Sequence, residues 1–183
     1  MKRLMAFAAL SLALALTTGC LGRAISEGVG VARGAKGLEV QIKPITQDFG
    51  NAYYNFRVAP FADSTGVGVP QIVKDTLAAE IAADVAEFYA KRNIPLAVGA
   101  RTLTIKGTYV YYEDANNTTD QVFGPFEELL ARVQLYDGDR LIGEANCVGR
   151  TTESVNKGAE KKAQGLAKAI VNWIARSYPK KQG

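Results

Sequence analysis

Apolar and polar residues follow one another along this chain in blocks, and each block has its own period. Leu38, Val40 and Ile42 alternate with Glu39, Gln41 and Lys43. This predicts a strand that buries its apolar side and stops at Pro44. Residues 52–61 predict a second strand, with Tyr54, Phe56 and Val58 on one face and Asn55 and Arg57 on the other. The polar turn Ala62-Asp63-Ser64-Thr65-Gly66 follows it. Pro70 then suits the first turn of a helix, and Val73, Leu77, Ile81, Val85 and Phe88 give that helix one apolar stripe. Lys91, Arg92 and Asn93 close it, and Pro95 prevents its continuation.

Three further strands are predicted. Leu103, Ile105, Tyr109 and Tyr111 share a face opposite Thr102, Thr104, Lys106 and Thr108. Leu129, Ala131, Val133 and Leu135 alternate with Glu128, Arg132 and Gln134, and Asp137-Gly138 marks a tight hairpin into a strand over 140–150. A last helix over 156–176 buries Ala159, Ala163, Leu166, Ile170, Trp173 and Ile174 and turns Lys157, Lys161, Lys168 and Asn172 outward. The order is β-β-α-β-β-β-α. Strands with one polar face imply a mostly antiparallel sheet covered on one side, and two amphipathic helices can supply the cover. The predicted fold is therefore a two-layer α+β sandwich with both helices on one face.

The first residues follow a different logic. Lys2 and Arg3 precede an apolar stretch, Leu4 to Leu16, that is too short to span a membrane comfortably, and small residues then lead to Cys20. Leu16-Thr17-Thr18-Gly19-Cys20 resembles the lipobox of bacterial lipoproteins, with Thr17 where that pattern usually carries an aliphatic residue. The resemblance implies removal of residues 1–19, acylation of Cys20, and attachment by lipid to the outer membrane, facing the periplasm. Leu21, rather than an aspartate, follows the cysteine. Ala13-Leu14-Ala15 offers an alternative site for ordinary signal peptidase. Residues 20–37 are Gly-rich and read as a tether, leaving 38–183 as a single domain.

Charge then narrows the partners. Loss of Lys2 and Arg3 with the leader lowers the formal charge from +4 to +2, so nucleic acid is not an expected partner. At 48% hydrophobic and 22% charged, the composition is that of an ordinary globular domain.

Phe56-Arg57-Val58-Ala59-Pro60-Phe61-Ala62-Asp63-Ser64-Thr65-Gly66 before a long helix resembles the opening of the TolB N-terminal-like domain. That domain recurs in envelope lipoproteins of the curli-secretion CsgG family and in the penicillin-binding-protein activator LpoB. Leu103-Thr104-Ile105-Lys106-Gly107-Thr108-Tyr109 is similar to their L-x-I-x-G strand, and 129–144 to the hairpin that follows it. The resemblance implies a periplasmic binding module and brings no catalytic residues with it. Its CsgG side implies the alternative reading, a subunit of an oligomeric outer-membrane secretion or assembly complex.

The chain contains no histidine, which removes the usual general base and the commonest metal ligand. Ser154-Val155-Asn156-Lys157 matches S-x-x-K, but the S-D-N and K-T-G elements of the serine β-lactamases are missing. Asp114, Asn116, Thr118 and Asp120 imitate half a calcium loop, with Thr119 in place of its glycine and Pro125 in place of its glutamate. No cofactor or metal is expected, and the function expected is non-enzymatic docking on another envelope protein. Cys147 reads as a buried thiol if Cys20 is acylated, and as its disulfide partner if cleavage falls near Ala15. Tyr53 and Tyr112, on polar strand faces, and Phe123 and Phe126, around Gly124-Pro125, are the candidate interface residues. Lys157, Lys161, Lys162 and Lys168 with Arg176, Lys180 and Lys181 read as the solvated face of the last helix and its tail.

Overall fold

The computed structural model describes residues 36–45, 55–92, 101–113, 126–152 and 158–178. These belong to one compact unit, 35–183. Its elements are β1 (Lys36–Lys43), β2 (Asn55–Val58), β3 (Ala62–Asp63), α1 (Gln71–Arg92), β4 (Thr102–Tyr112), β5 (Phe126–Asp137), β6 (Arg140–Thr152) and α2 (Ala159–Arg176). The expected second strand is divided by Ala59-Pro60 into β2 and the two-residue β3. Pairing in β1 begins already at Lys36.

The sheet order is β1-β6-β5-β4-β2, with β3 also on β4. The β4–β5, β5–β6 and β6–β1 pairs are antiparallel, whereas β2 and β3 run parallel to β4. The parallel pairs follow from α1, because a helix between two neighbouring strands returns the chain to the end where it began. β1 and β2, consecutive in sequence, occupy opposite edges.

Both helices cover the same face, as expected. Val73, Leu77, Ile81, Val85 and Tyr89 of α1 are buried. Their uniform spacing of four rotates the stripe by about 40° at each step. It therefore ends on Tyr89 rather than on the expected Phe88, which is only partly buried. The Tyr89 hydroxyl lies 2.9 Å from that of Tyr178, and Phe56 and Phe88 pack edge-on around the pair.

α2 is buried over a wider arc than a surface helix. Ala167, Ala169, Val171 and even Lys162 join the expected apolar residues inside. The reason is its distance from the sheet. A β-carbon on Gly149 would stand 2.2 Å from the Lys162 carbonyl oxygen and 2.5 Å from the Leu166 nitrogen. One on Gly37 would stand 2.4 Å from the Gly165 carbonyl oxygen. Backbone meets backbone there, so Gly143, Ala145, Cys147 and Gly149 of β6 make a floor of small residues under α2. Cys147 is free and fully buried in that floor.

β1 contradicts its expected orientation. Gly37 lies under α2, and Glu39 pairs with Arg176 of that helix. Leu38, Val40 and Ile42 consequently point away from the helices and are 51%, 66% and 47% exposed. Alternation distinguished the two faces of β1 correctly, but a glycine and a carboxylate occupy the covered one.

Replacement of Gly149 by alanine should destabilise the fold by about 1–3 kcal/mol, since a main-chain atom must move to admit the methyl group. Asn146→Ala, on the uncovered side of the same strand, should stay within about 0.5 kcal/mol. Urea denaturation of both variants measures the difference.

Candidate functional site

The uncovered face of the sheet is built by one irregularity in β4. Tyr109 pairs with Ala131, and Tyr112 with Leu129, but between them Tyr111 pairs with Leu130 and Val110 is extra. This β-bulge resets the alternation. Tyr109 stays buried on the helix side, while Val110 and Tyr111 come out 45% and 48% exposed.

The bulge corrects two expectations. Tyr111 was expected to share the buried face and is exposed. Tyr112, expected on the polar face, is turned to the helix side and packs partly buried against the core. There the Lys162 ammonium sits 4.4 Å from the Tyr112 ring centroid and donates to the Glu113 carbonyl oxygen at 2.5 Å. Ring face and carbonyl together account for a lysine that is 1% exposed. Lys162 is thus not part of the solvated basic face predicted for this helix.

Register carries the apolar signal across the sheet. Leu38 of β1 pairs with Val148 of β6, Val148 with Leu130 of β5, and Leu130 with Tyr111 of β4. These four form a row over four strands, with Val110 and Val40 beside it. Its rim is polar and internally paired: Arg150 meets Glu128 on one side, and Arg132 and Gln134 meet Glu144 on the other. Lys106 lies over the Tyr136 ring at 4.4 Å, and the Tyr136 hydroxyl donates to Gln134. An apolar centre within a rim of satisfied charges is the anatomy of a protein-docking face.

A second feature lies on the helix side. Val58, Ala59, Pro60 and Phe61 face Gln71, Lys74, Asp75 and Ala78 of α1 across a cavity of about 360 Å³ that Tyr109 also lines. Asp63 holds the turn at its mouth. Its carboxylate accepts from the Val69 amide at 2.6 Å and from the Thr65 amide and hydroxyl at 3.1 and 2.8 Å, with Lys74 3.5 Å away. The Val69 bond, followed by that from the Thr65 hydroxyl, lowers the Asp63 carboxyl to about 2. Burial, with the charges of Asp63 and Asp75, pushes the Tyr109 phenol up to about 12, so it remains a donor. Gln71 holds Asp75 at 2.8 Å. These polar groups engage one another, and what the cavity offers is an apolar wall of Phe61, Pro60, Leu77 and Ala78.

Of the other candidate positions, Cys20, Tyr53 and Phe123 lie outside the described residues, as do Ser154, Lys157 and the loop 114–120. Phe126 opens β5 opposite Thr152, but its side chain is outside the description. Among the described residues, no cluster of acidic or cysteine side chains could hold a metal, and no helix is long and apolar enough to cross a membrane. Val110, Tyr111 and the β1 row went unidentified in the sequence. The consecutive Tyr109-Val110-Tyr111-Tyr112, apolar at both parities, was the available signal of a bulge.

The described elements define a two-layer α+β domain whose sheet is open on one side. No protein-family model and no curated protein matches the chain. Among solved structures it is similar to the PelC dodecamer from Paraburkholderia phytofirmans. An L103M form in space group C2 has a TM-score of 0.47 and 14% identity, covering 76% of this chain and 96% of that one. The P6 form has a TM-score of 0.45 and 13% identity, covering 79% and 99%.

The Asp63 bonds give a pH dependence with a definite sign. Because the folded carboxyl is lowered, its contribution to the turn is fully present above the unfolded value of 3.8 and is lost as pH falls through about 2. In an NMR titration the Val69 amide should shift over that acid range. Asp63→Asn should abolish the shift and speed hydrogen exchange at Val69.

Proposed function

We propose that this chain is a lipid-anchored binding and assembly module of the bacterial envelope, non-enzymatic, docking on another envelope protein from the periplasmic side of the outer membrane. The export leader and Cys20 supply the address, and the resemblance of 56–66 and 103–109 to TolB-like domains supports the setting. The observation that carries the docking is the open sheet face. There Leu38, Val148, Leu130 and Tyr111 form an apolar row inside a rim of paired charges. Large apolar side chains left in water at the centre of a flat face are stabilised when a partner covers them.

Two measurements test the reading. An alkyne analogue of palmitate should label the chain in cells, and Cys20→Ser should abolish the labelling. A photocrosslinker at Tyr111 or Leu130 should capture one envelope protein, whereas the same probe at Lys168, exposed on the helix side, should not. Tyr111→Ala should weaken that capture about tenfold, the effect of losing an interface anchor worth 1–2 kcal/mol. Equal capture from Lys168 would overturn the docking face, and capture only of further copies of the chain would favour the oligomeric-complex reading.

A further inference from the structure

The two edges of the sheet are guarded differently. At one edge β2 has four residues, Ala59-Pro60 interrupts the chain, and β3 has two. Short strands and a proline are ordinary protection against pairing with another chain. At the other edge β1 runs eight residues without proline, regular in its pairing with β6 from Lys36 to Gln41 and bulged only between Gln41 and Lys43, and among the described residues nothing pairs with its outer side. Lysines stand only at its ends, and its one inward carboxylate, Glu39, is already matched by Arg176. Ile45 packs beside Trp173 against Gly143, on the helix side.

We propose that a second copy of this chain pairs with β1, antiparallel, about a twofold axis through Val40, so that two sheets become one. The sequence of β1 is self-complementary in that register. Leu38 stands opposite the partner's Ile42 and Val40 opposite the partner's Val40, so every exposed apolar side chain of the strand meets another. On the helix side Glu39 faces the partner's Gln41, an uncharged side chain, and each Glu39 keeps its pairing with Arg176 of its own copy. The neighbouring twofold registers are worse. Centring on Glu39 sets that carboxylate against itself, and centring on Gln41 brings Pro44, which has no N–H to give, opposite Leu38 within the apolar stretch, whereas centring on Val40 meets Pro44 only at the strand end, opposite Lys36. A shift by a single residue would place apolar side chains on the helix side. Pairing at Val40 also joins the two open faces, since the row ending at Leu38 continues into the partner's Ile42. A closed twofold contact completes itself with two copies and leaves the open faces free for a further partner.

Cysteine crosslinking in the full chain tests the register. Directly opposed residues of an antiparallel pair lie within disulfide reach. In a Cys20→Ser background, where the remaining native thiol Cys147 is buried, mild oxidation of Val40→Cys should give a covalent dimer, several-fold more abundant than Gln41→Cys gives and absent without either substitution. Val40→Lys sets like charges against each other on the axis, at a site exposed enough to leave the fold intact. Its sedimentation should fall from dimer to monomer with an unchanged circular dichroism spectrum. Crosslinking at Gln41 equal to that at Val40, no crosslinking at either, or a Val40→Lys chain that stays dimeric would each overturn the proposal. None of these readouts involves an envelope partner, so failure here leaves the docking face to its own test.

Discussion

The close seat of α2 on β6 and β1 is the constraint from which the rest of this structure follows. With Gly149 and Gly37 beneath it, the helix approaches until its own carbonyls and amides meet the strand α-carbons. At that distance the covered face of β6 has room only for Gly143, Ala145, Cys147 and Gly149, and the volume of the core must come from elsewhere. It comes from Trp173, Leu166 and Ile170 of α2, from the α1 stripe, and from the Leu, Ile and Val side chains of β4 and β5. The floor also fixes the thiol. Burial, with the Glu39 charge, pushes Cys147 up to about 12, so at neutral pH it is a small apolar side chain rather than a nucleophile.

The same seat inverts β1. A strand beside a helix this near must present something small or something the helix can bind, and β1 presents Gly37 and then Glu39, which Arg176 of α2 takes. Leu38, Val40 and Ile42 are left for the other side. Their exposure is thus a consequence of how the core is packed, and the helix side accordingly buries Lys162 rather than β1's aliphatic residues. Proteins tolerate such an arrangement when the outward face has a use, because burying the aliphatics and exposing the glutamate would otherwise be the more stable choice.

Much of the fold was legible in the sequence, and the reasons for success and failure are the same. Periodicity reports how many faces an element has and where they lie, so β4, β5, β6, α1 and α2 were found, and most residues assigned to their covered faces are buried, although half of the buried residues of α2 went unassigned. Periodicity does not report which face of an edge strand meets the core, because that depends on a neighbour distant in sequence. Leu38, Val40 and Ile42 were therefore assigned inward. Nor does it survive an inserted residue. One extra residue at Val110 exchanged the roles of Tyr111 and Tyr112, so the tyrosine expected at the surface became the ring under Lys162. The parallel pairing of β2 and β3 with β4 was missed because polar alternation was read as antiparallel, although α1 between them required the opposite. Of the candidate site, only the sheet face as a place for exposed aromatics was legible.

The open face has a directional character that its row of apolar residues alone would not give. Along the row, from Leu38 to Tyr111, nothing titrates at neutral pH, and a partner can cover it with little desolvation cost. Across the row, Arg150 with Glu128 on one side and Arg132 with Glu144 on the other are held as pairs. Ion pairs at a solvated rim contribute little affinity, yet they penalise a partner that brings an unmatched charge. Binding energy therefore belongs to the row and selectivity to its borders. A partner best suited to this surface is extended, apolar along one line and polar to either side, which is the profile of a strand or a helix lying across the four strands rather than of a compact ligand. The cavity beside Phe61 has the opposite character, a partly open pocket of about 360 Å³ on the helix side, and the two features are too different in shape to serve one partner in the same way.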